Sequence, residues 1–426
     1  MQASTSLVLY RALMMGLLPV AIPAIKLKDL LVGKGRPTFR ERWAQRLPDL
    51  PAGGIWLQAV SVGEVELTRR VVAELQRLAP KRPVAVSATT ATGLDLARRT
   101  LGETVPVFAC PLDLPGPVSR VLEAAQPRLL ALVETELWPE MLHQAARREV
   151  PVAVVNARLS EGSFARYDRV VKVLRPLLAP LQLVLARTRA DAERFAALGV
   201  PAERISVTGN VKYDLGADHR PLIWADEIRR AAGERPILVA GSTMDGEETQ
   251  VLDAVDRLKE SGSKPFVIFA PRHPERFDAV ARLLAERGLV FVRRSSGTPP
   301  PEGADAFLID TIGELARAYS LATVAFVGGS LTPTGGHNPL EPAVWGVPVL
   351  SGPHVHNFRE VYDEMILGGG ARLVADSAEL TVGAAAWLDE PALAAAAGAA
   401  GREVVRANSG ATERTAAALI DLMGKA

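Results

Sequence analysis

The feature of this sequence that most limits its fold is the alternation of short apolar runs with longer amphipathic stretches. The apolar runs have the length of buried strands, and the stretches between them have helical spacing. Strands that alternate with helices form βαβ units, whose strands run parallel. A polar stretch near the middle divides the alternation into two series. The sequence therefore predicts two doubly wound, Rossmann-like α/β domains that face each other across a cleft.

The predicted strands fall into these two series. Those of the first series are Ile55–Val60, Val84–Ala88, Val105–Ala109, Leu129–Val133, Val152–Val155, Leu183–Ala186 and Ile205–Thr208. Those of the second are Ile237–Ala240, Phe266–Ala270, Val290–Val292, Ala306–Ile309, Val324–Val327 and Val347–Leu350, followed by alanine-rich helices to the end of the chain. In such sheets ligands bind outside the carboxyl ends of the strands, so motifs at those ends carry the most functional information.

The domain boundaries follow from the same pattern. At 426 residues the chain exceeds the length over which one hydrophobic core keeps growing, so two domains are expected. We predict a separate N-terminal segment over residues 1–48 and a first domain over residues 49–213. The polar stretch 214–222 is the predicted linker, and the second domain covers residues 223–426.

The N-terminal segment combines an apolar stretch, Ala12–Ile25, with a basic stretch, Lys26–Arg46. As a helix the apolar stretch would reach about 21 Å, short of the roughly 30 Å hydrocarbon core, so we expect it to dip into a membrane. If the apolar stretch is extended back to Leu7, it could span a membrane. A solvated basic loop after a buried helix is the alternative to any membrane contact. The basic residues favour an anionic membrane surface and place the main body on the cytoplasmic side.

Metal and disulfide chemistry find little support in the sequence. Cys110 is the only cysteine, which excludes an internal disulfide framework or a cysteine-based zinc site. His354 and His356 have the spacing of a metal-binding pair in a strand but lack a third ligand nearby, while His143 and His219 stand alone. No Asp-x-Asp motif occurs in the chain. We therefore expect no metal, no cofactor and no nucleic-acid partner.

Glu64 is the candidate general base. It falls in the first turn of a predicted helix, directly after the first strand and the tight turn at Gly63. The helix dipole stabilises a carboxylate there as the anion, the form that a general base needs before it reacts. A capping glutamate without a catalytic role is the alternative.

Glu134 and Glu136 form a second candidate group at the carboxyl end of another strand. Two carboxylates at this spacing resemble a metal site, but without an Asp-x-Asp motif we expect them to orient polar neighbours or an acceptor. A purely structural role is the alternative.

The second series carries a run of polar and glycine-rich motifs at successive strand ends. Ser242 lies in an Ala-Gly-Ser-Thr sequence before a predicted helix, where backbone N–H groups could receive a phosphate. Arg272 and His273 follow the next strand, and arginine suits a phosphate or carboxylate. Gly329 belongs to a Gly-Gly-Ser turn. Each motif is weak alone, but together they predict an anionic nucleotide site.

A second glycine-rich turn, Gly335–Pro342, is expected to open a helix whose start accepts negative charge. Asn338 lies in this turn, and Glu341 could hold ribose hydroxyls. Lys212, just before the linker, could reach into the cleft, or could be an ordinary surface lysine.

These motifs, in this order, resemble those of bacterial 3-deoxy-D-manno-octulosonic acid (Kdo) transferases over nearly the whole chain. The motifs that carry the resemblance are Ser61–Glu64, Thr89–Gly93, Glu134–Pro139, Asn156–Ser160, Thr208–Lys212, Pro271–Phe277 and Gly335–Pro342. One departure is Gln45-Arg46-Leu47-Pro48, where some relatives have Glu-Arg-x-Gly, which puts in doubt any required carboxylate there.

The resemblance implies a GT-B fold, an acceptor-binding first domain and a donor-binding second domain. It implies CMP-Kdo as the donor, a lipid A precursor as the acceptor, inversion at the anomeric carbon, no metal, and a place at the cytoplasmic face of the inner membrane. Glu64 matches the family's general base, and Lys212 matches a cleft lysine. Arg272, Gly329, Asn338 and Glu341 match residues around the nucleotide.

Two other classes of protein remain open at this point. A sugar-nucleotide epimerase would share the two-domain architecture but would not need the apolar and basic N-terminus. A non-catalytic membrane scaffold would not need intact motifs at the strand ends.

Overall fold

The computed structural model describes residues 5–16, 39–215 and 220–425. Most of the predicted apolar and basic N-terminal stretch, and part of the predicted linker, lie outside these residues. The described chain divides into two compact units. The first comprises Met1–Asp214 together with Ser409–Ala426, and the second comprises Leu215–Asn408.

The first unit is built on a parallel sheet of seven strands with the order β3-β2-β1-β4-β5-β6-β7. Its strands are β1 (Ile55–Ala59), β2 (Val84–Ala88), β3 (Val107–Ala109), β4 (Leu129–Val133), β5 (Val152–Ala157), β6 (Leu181–Ala186) and β7 (Ile205–Val207). Strands β1, β2, β4 and β5 are buried along their whole length, as expected for a sheet covered by helices on both faces.

The described α-helices that come before Asp214 in the first unit are, in chain order, α1 (5–16), α2 (Phe39–Arg42), α3 (Val62–Leu78), α4 (Ala91–Leu101), α5 (Pro115–Ala125), α6 (Pro139–Arg147), α7 (Glu161–Asp168), α8 (Val171–Leu178) and α9 (Arg189–Ala197). Thr90 and Thr188 cap α4 and α9 by accepting a backbone N–H with their hydroxyl oxygens.

The second unit repeats this architecture with a parallel sheet of the order β10-β11-β9-β8-β12-β13-β14. Its strands are β8 (Ile237–Thr243), β9 (Phe266–Pro271), β10 (Phe291–Arg293), β11 (Ala306–Leu308), β12 (Val324–Val327), β13 (Val349–Ser351) and β14 (Ala371–Leu373). Its helices are α10 (Ala225–Ala232), α11 (Glu247–Glu260), α12 (Phe277–Glu286), α13 (Leu315–Ala318), α14 (Leu340–Ala343), α15 (Arg359–Leu367), α16 (Ser377–Leu388) and α17 (Pro391–Asn408). Strand β14 was not predicted.

The last helix, α18 (Ala411–Lys425), belongs to the first unit, so the predicted second domain, 223–426, runs too far. Its side chains Ala416, Leu419 and Met423 are buried in the same core as those of β1 and α3. At the start of α18, the carboxylate of Asp214 accepts the N–H of Gly410 at 2.5 Å and that of Thr412. The chain returns to the first unit because the apolar face of α18 is buried in the core of that unit.

Helix α1 is docked on the first unit by polar contacts. The Tyr10 hydroxyl donates to Asp113 at 2.7 Å, and the Arg11 guanidinium donates twice to Glu140, at 2.6 and 2.8 Å. Asp113 also accepts the N–H groups of Glu140 and Met141 at the start of α6. Among the described residues, no helix has both the length and the apolar character needed to cross a bilayer.

Candidate active site

In both sheets the strand order reverses at one point, which is where α/β proteins of this class open a crevice for ligands. In the first sheet this point lies between β1 and β4, and in the second between β8 and β12. The parallel strands bring their carboxyl ends to the same edge. Glu64 follows β1 and Glu134 follows β4, so the topology brings these two side chains together, as the sequence could not show.

Glu64 lies at the start of α3 and is only 7% exposed. Its carboxylate accepts the N–H of Val60 at 2.7 Å and the hydroxyl of Ser61 at 3.1 Å. Burial is the main reason that its pKa rises to about 7; the nearby Glu134 and Glu136 raise it further, and the two hydrogen bonds lower it. A carboxyl with a pKa near neutrality can both accept a proton and release it, as a general base must.

The loop that carries Glu134 and Glu136 has a strained start. Glu134 has φ +61°, and its N–H donates to the carbonyl of Val155 at 2.8 Å, which holds the residue in this conformation. The hydroxyl of Thr135 donates to the Arg158 carbonyl. Burial, followed by the charge of Glu134, raises the pKa of Glu136. Strain of this kind in a non-glycine residue is often found at functional sites.

The carboxylates therefore form one electrostatically coupled cluster. Glu134 and Glu136 raise the cost of ionising Glu64, and Glu134 raises that of Glu136, because like charges at short range disfavour the ionised form. Over the described parts of the chain, no three His, Cys, Asp or Glu side chains group in a way that could hold a metal ion.

Lys212 belongs to the first unit and not to the unit that carries the other predicted nucleotide ligands. It lies in a short 3₁₀ helix, Val211–Tyr213. The buried side chain of Asn156, at the end of β5, accepts the Val211 N–H at 3.0 Å. Arg70 donates to the carbonyls of Val211 and Lys212 from α3, the helix that also carries Glu64. Asn156 and Arg70 thus fix the lysine segment, and sequence reasoning gave neither residue a role.

In the second unit, the helix start after Ser242 contains two acidic side chains. Ser242 has φ +55° and lies near the end of β8, as expected for a strand-end residue. The first turn of α11, however, contains the buried carboxylates of Glu247 and Glu248. These place negative charge at the positive end of the helix, so this helix start disfavours a phosphate, and a nucleotide contact from Ser242 itself stays a prediction.

Glu247 binds the Gly-Gly-Ser turn instead. Its carboxylate accepts the N–H groups of Gly329 (2.7 Å), Ser330 (2.8 Å) and Leu331 (2.8 Å), and that of Met244 (2.8 Å). The Gly329 N–H is therefore already engaged within the protein. Gly329 shapes the loop, with φ +68°, rather than offering a free N–H group.

Glu248 fixes the neighbouring loop that carries Arg272. It accepts the Thr243 hydroxyl at 2.7 Å and two bonds from Arg276, at 2.9 and 3.0 Å. The Arg272 N–H donates to the Thr243 carbonyl at 3.0 Å. The Arg272 side chain is exposed, and within the described residues it makes no ion pair. A fixed backbone with an open guanidinium suits a site that binds an anion.

The second glycine turn leads into a short helix. Gly335 and Gly336 have φ +106° and +76°, a region that favours glycine. The Asn338 side chain accepts the Leu340 N–H at 3.1 Å, at the start of α14, which has only four residues. Glu341 lies in this single turn. Such a short helix adds little dipole and so contributes little to the attraction of an anion.

One strand-end loop was missed by the sequence reasoning. After β11, Ile309 donates its N–H to Phe269 of the neighbouring β9, so the following residues lie beside the loop that carries Arg272. Asp310 accepts from Arg293 at 2.6 Å, and Glu314 accepts from Trp224 at 2.9 Å, while Ile312 between them is exposed. The Asp-Thr-Ile-Gly sequence directly after a strand was the available signal.

Comparison with known proteins gives a consistent result. A family model described as "3-Deoxy-D-manno-octulosonic-acid transferase (kdotransferase)" matches residues 38–215. A 3-deoxy-D-manno-octulosonic acid transferase of Haemophilus influenzae is 35% identical over 97% of this chain and 98% of its own length. One of Bordetella pertussis is 36% identical over 90% of each chain.

Solved structures support the fold. A UDP-GlcNAc 2-epimerase from Neisseria meningitidis superposes with a TM-score of 0.55 at 13% identity, over 88% of this chain and all of that chain. Acinetobacter baumannii MurG superposes with a TM-score of 0.54 at 15% identity, over 86% of this chain and 99% of that chain. At such identities the likeness shows the fold alone. With two parallel seven-stranded sheets, it confirms the predicted GT-B class.

Proposed function

Because this chain belongs to the 3-deoxy-D-manno-octulosonic acid transferase family, we propose that it transfers Kdo from CMP-Kdo to a lipid A precursor, with inversion and without a metal ion. Kdo transfer itself rests on the family. The acceptor, the stereochemistry and the metal independence are our proposal. The observation that carries the mechanism is Glu64, a buried carboxyl with a pKa of about 7 at the switch point of the first sheet.

In the proposed reaction, Glu64 takes the proton of an acceptor hydroxyl. The hydroxyl oxygen forms a bond to the anomeric carbon of Kdo, while the bond from that carbon to the phosphate oxygen breaks. The electron pair leaves with cytidylate. A single displacement of this kind inverts the anomeric centre. General base catalysis of this step contributes about 10²- to 10⁴-fold.

The leaving cytidylate gains negative charge, and we assign its stabilisation to the second unit. Arg272 offers an exposed guanidinium on a loop whose backbone is fixed by Thr243 and by the Glu248–Arg276 contact. A cation placed near developing negative charge lowers the barrier. His273, Asn338 and Glu341 are proposed to complete the nucleotide contacts, and this arrangement requires no metal ion.

The acceptor side is assigned to the first unit. Glu134 and Glu136 lie with Glu64 and can orient the acceptor's hydroxyl groups through hydrogen bonds. Lys212, on a segment fixed to α3 and β5, is proposed to contact the negative charge of the sugar or its phosphate.

We also propose that the protein works at the cytoplasmic face of the inner membrane. Docked helix α1 turns Val8, Leu9, Leu13 and Met15 outward, each more than half exposed. Leu9 and Leu13 are one turn apart and so share a face. Together with the basic residues that follow in the sequence, this apolar face suits an anionic lipid surface.

A sugar-nucleotide epimerase is the rival function, because proteins of that kind share the fold. An epimerase needs no lipid acceptor and no apolar face on α1. Incubating the purified chain with CMP-Kdo labelled in the sugar and a lipid A precursor distinguishes the two. Label in the lipid phase supports transfer. Conversion of the free donor without acceptor, and no label in the lipid, would contradict it.

A further inference from the structure

The ring of His337 is packed edge-on against the Gly-Gly turn. The His337 N–H donates to the Gly328 carbonyl at 3.1 Å, and the Gly336 N–H donates to the Gly329 carbonyl at 2.6 Å. A Cβ atom placed on Gly329 would lie 2.7 Å from Cδ2 and 2.9 Å from Nε2 of His337. The ring edge that carries Nε2 therefore faces the glycine backbone, and any side chain at 329 would displace it.

The two ring nitrogens have different surroundings. Nε2 is buried and has no hydrogen-bond partner among the described residues. Nδ1 also bonds to no described residue, but it is not among the buried polar atoms that lack a partner, so solvent or a ligand can reach it. The ring thus presents one enclosed nitrogen and one accessible nitrogen.

The ring is neutral at physiological pH. Burial, followed by the charges of Arg272 and His273, lowers the pKa of His337 to about 4. A neutral imidazole carries one proton, on one of the two nitrogens. At Nε2 the N–H would be a buried donor without an acceptor, which proteins rarely tolerate. At Nδ1 the same N–H can find an acceptor, so the proton belongs there.

We propose that neutral His337, protonated at Nδ1, donates a hydrogen bond to an anionic oxygen of the cytidine nucleotide, beside Arg272. This deepens the proposed function and rests on it. The charge of Arg272 attracts an anion to this place, and His337 adds a directed donor without adding a further positive charge. His337 is thus assigned as a nucleotide-binding residue in addition to those predicted from the sequence.

The first test reads the tautomer directly. The full chain, labelled with ¹⁵N-histidine, is titrated with CMP at neutral pH, and His337→Gln identifies the His337 signals. We expect a protonated Nδ1 and a bare Nε2 in the free protein, and a change at Nδ1 on addition of CMP. A proton on Nε2, or signals that do not respond to bound CMP, would overturn the proposal.

The second test uses the different positions of the side-chain amide nitrogen in asparagine and glutamine. The nitrogen of an asparagine side chain is bonded to Cγ, as Nδ1 is, whereas glutamine reaches the position of Nε2. His337→Asn should keep CMP affinity within about threefold, and His337→Gln should lower it by about 10- to 100-fold, the range for a lost hydrogen bond to a charged group. Equal losses in two folded variants, checked by their melting temperatures, would contradict the assignment.

The dependence of CMP affinity on salt concentration provides a third, independent test. Binding through Arg272 is electrostatic, so the effect of Arg272→Gln on CMP affinity should shrink at high ionic strength. The effect of His337→Gln should persist, because the bond comes from a neutral donor. CMP binding is measured without any transfer, so an inactive chain that still binds CMP would count against the proposed reaction only. Failure of the unaltered chain to bind CMP would overturn the His337 proposal as well.

Discussion

Arg11 and Glu140 are joined by two hydrogen bonds between a guanidinium on α1 and a carboxylate at the start of α6. Glu140 is fully buried, and Arg11 is its cationic partner. The pair makes the N-terminal helix a structural part of the first unit. Deleting residues 1–25 would therefore remove more than a membrane contact, because it would leave a buried charge without its partner.

Arg11→Leu should lower the free energy of unfolding by about 1–3 kcal/mol, because the Glu140 carboxylate loses its charged hydrogen bonds. Urea denaturation measures the change. Arg69→Leu, which breaks an exposed pair with Glu66, is the matched control and should cost less than about 1 kcal/mol. Adding Glu140→Gln to Arg11→Leu should recover part of the loss. Equal effects of the two arginine changes would show that the Arg11–Glu140 pair stabilises the fold no more than an exposed ion pair does.

Leu9→Ser combined with Leu13→Ser should weaken binding to anionic vesicles, because these side chains are 62% and 63% exposed. Each buried CH₂ contributes about 0.8 kcal/mol to lipid binding, so a loss of at least tenfold is expected. Vesicle sedimentation measures it, and the melting temperature should not fall. Val382→Ser, an exposed valine on α16, is the control. Unchanged sedimentation of the double variant would reject α1 as a lipid contact.

Glu64→Gln should lower turnover by about 10²- to 10⁴-fold, because glutamine cannot accept the proton. CMP affinity should be unchanged, because the assigned nucleotide residues other than Lys212 belong to the second unit. Glu66→Gln, a more exposed glutamate on the same helix, should retain activity. Near-normal turnover of Glu64→Gln would move the search for the base to Glu134 and Glu136.

The pH dependence follows from the raised pKa of Glu64, about 7. The ionised form is the active base, so kcat/KM should rise with pH through that value. The raised pKa of Glu64 affects the free energy of unfolding in the opposite direction to its effect on kcat/KM. A carboxyl with a raised pKa in the folded state contributes stability that is fully present below its unfolded pKa and is lost as pH rises through about 7. Glu64→Gln should therefore be more stable than the unaltered chain at alkaline pH, by urea denaturation, and this advantage should shrink on acidification.

Activity should persist in EDTA, because Arg272 is assigned the role of stabilising the leaving phosphate. Arg272→Ala should then lower both CMP affinity and turnover, whereas Arg282→Ala, an exposed arginine on α12, should change neither. Turnover measured with and without EDTA tests whether activity persists. A loss of activity in EDTA that magnesium restores would show that Glu134, Glu136 or another carboxylate binds a metal ion.

Local patterns in the sequence were sufficient for most strands, for the parallel sheets and for the position of Glu64 at a helix start. They failed where a contact joins distant residues. The acidic residues after Ser242 looked like an ordinary helix start, but Glu247 binds the turn at Gly329, 82 residues later in the chain. Strand β14 was missed because it is a three-residue edge strand with an exposed Arg372 at its centre, so it has almost no apolar signal.

The return of α18 to the first unit sets an order for folding during synthesis. The ribosome completes Asp214 long before it reaches Ala411, and roughly 200 residues of the second unit are made in between, which takes about 10 to 40 s. Throughout that time the core that will receive Leu419 and Met423 is uncovered. The second unit, by contrast, is continuous in the chain and can fold as soon as Asn408 emerges. The unit that is begun first is therefore the one that is finished last.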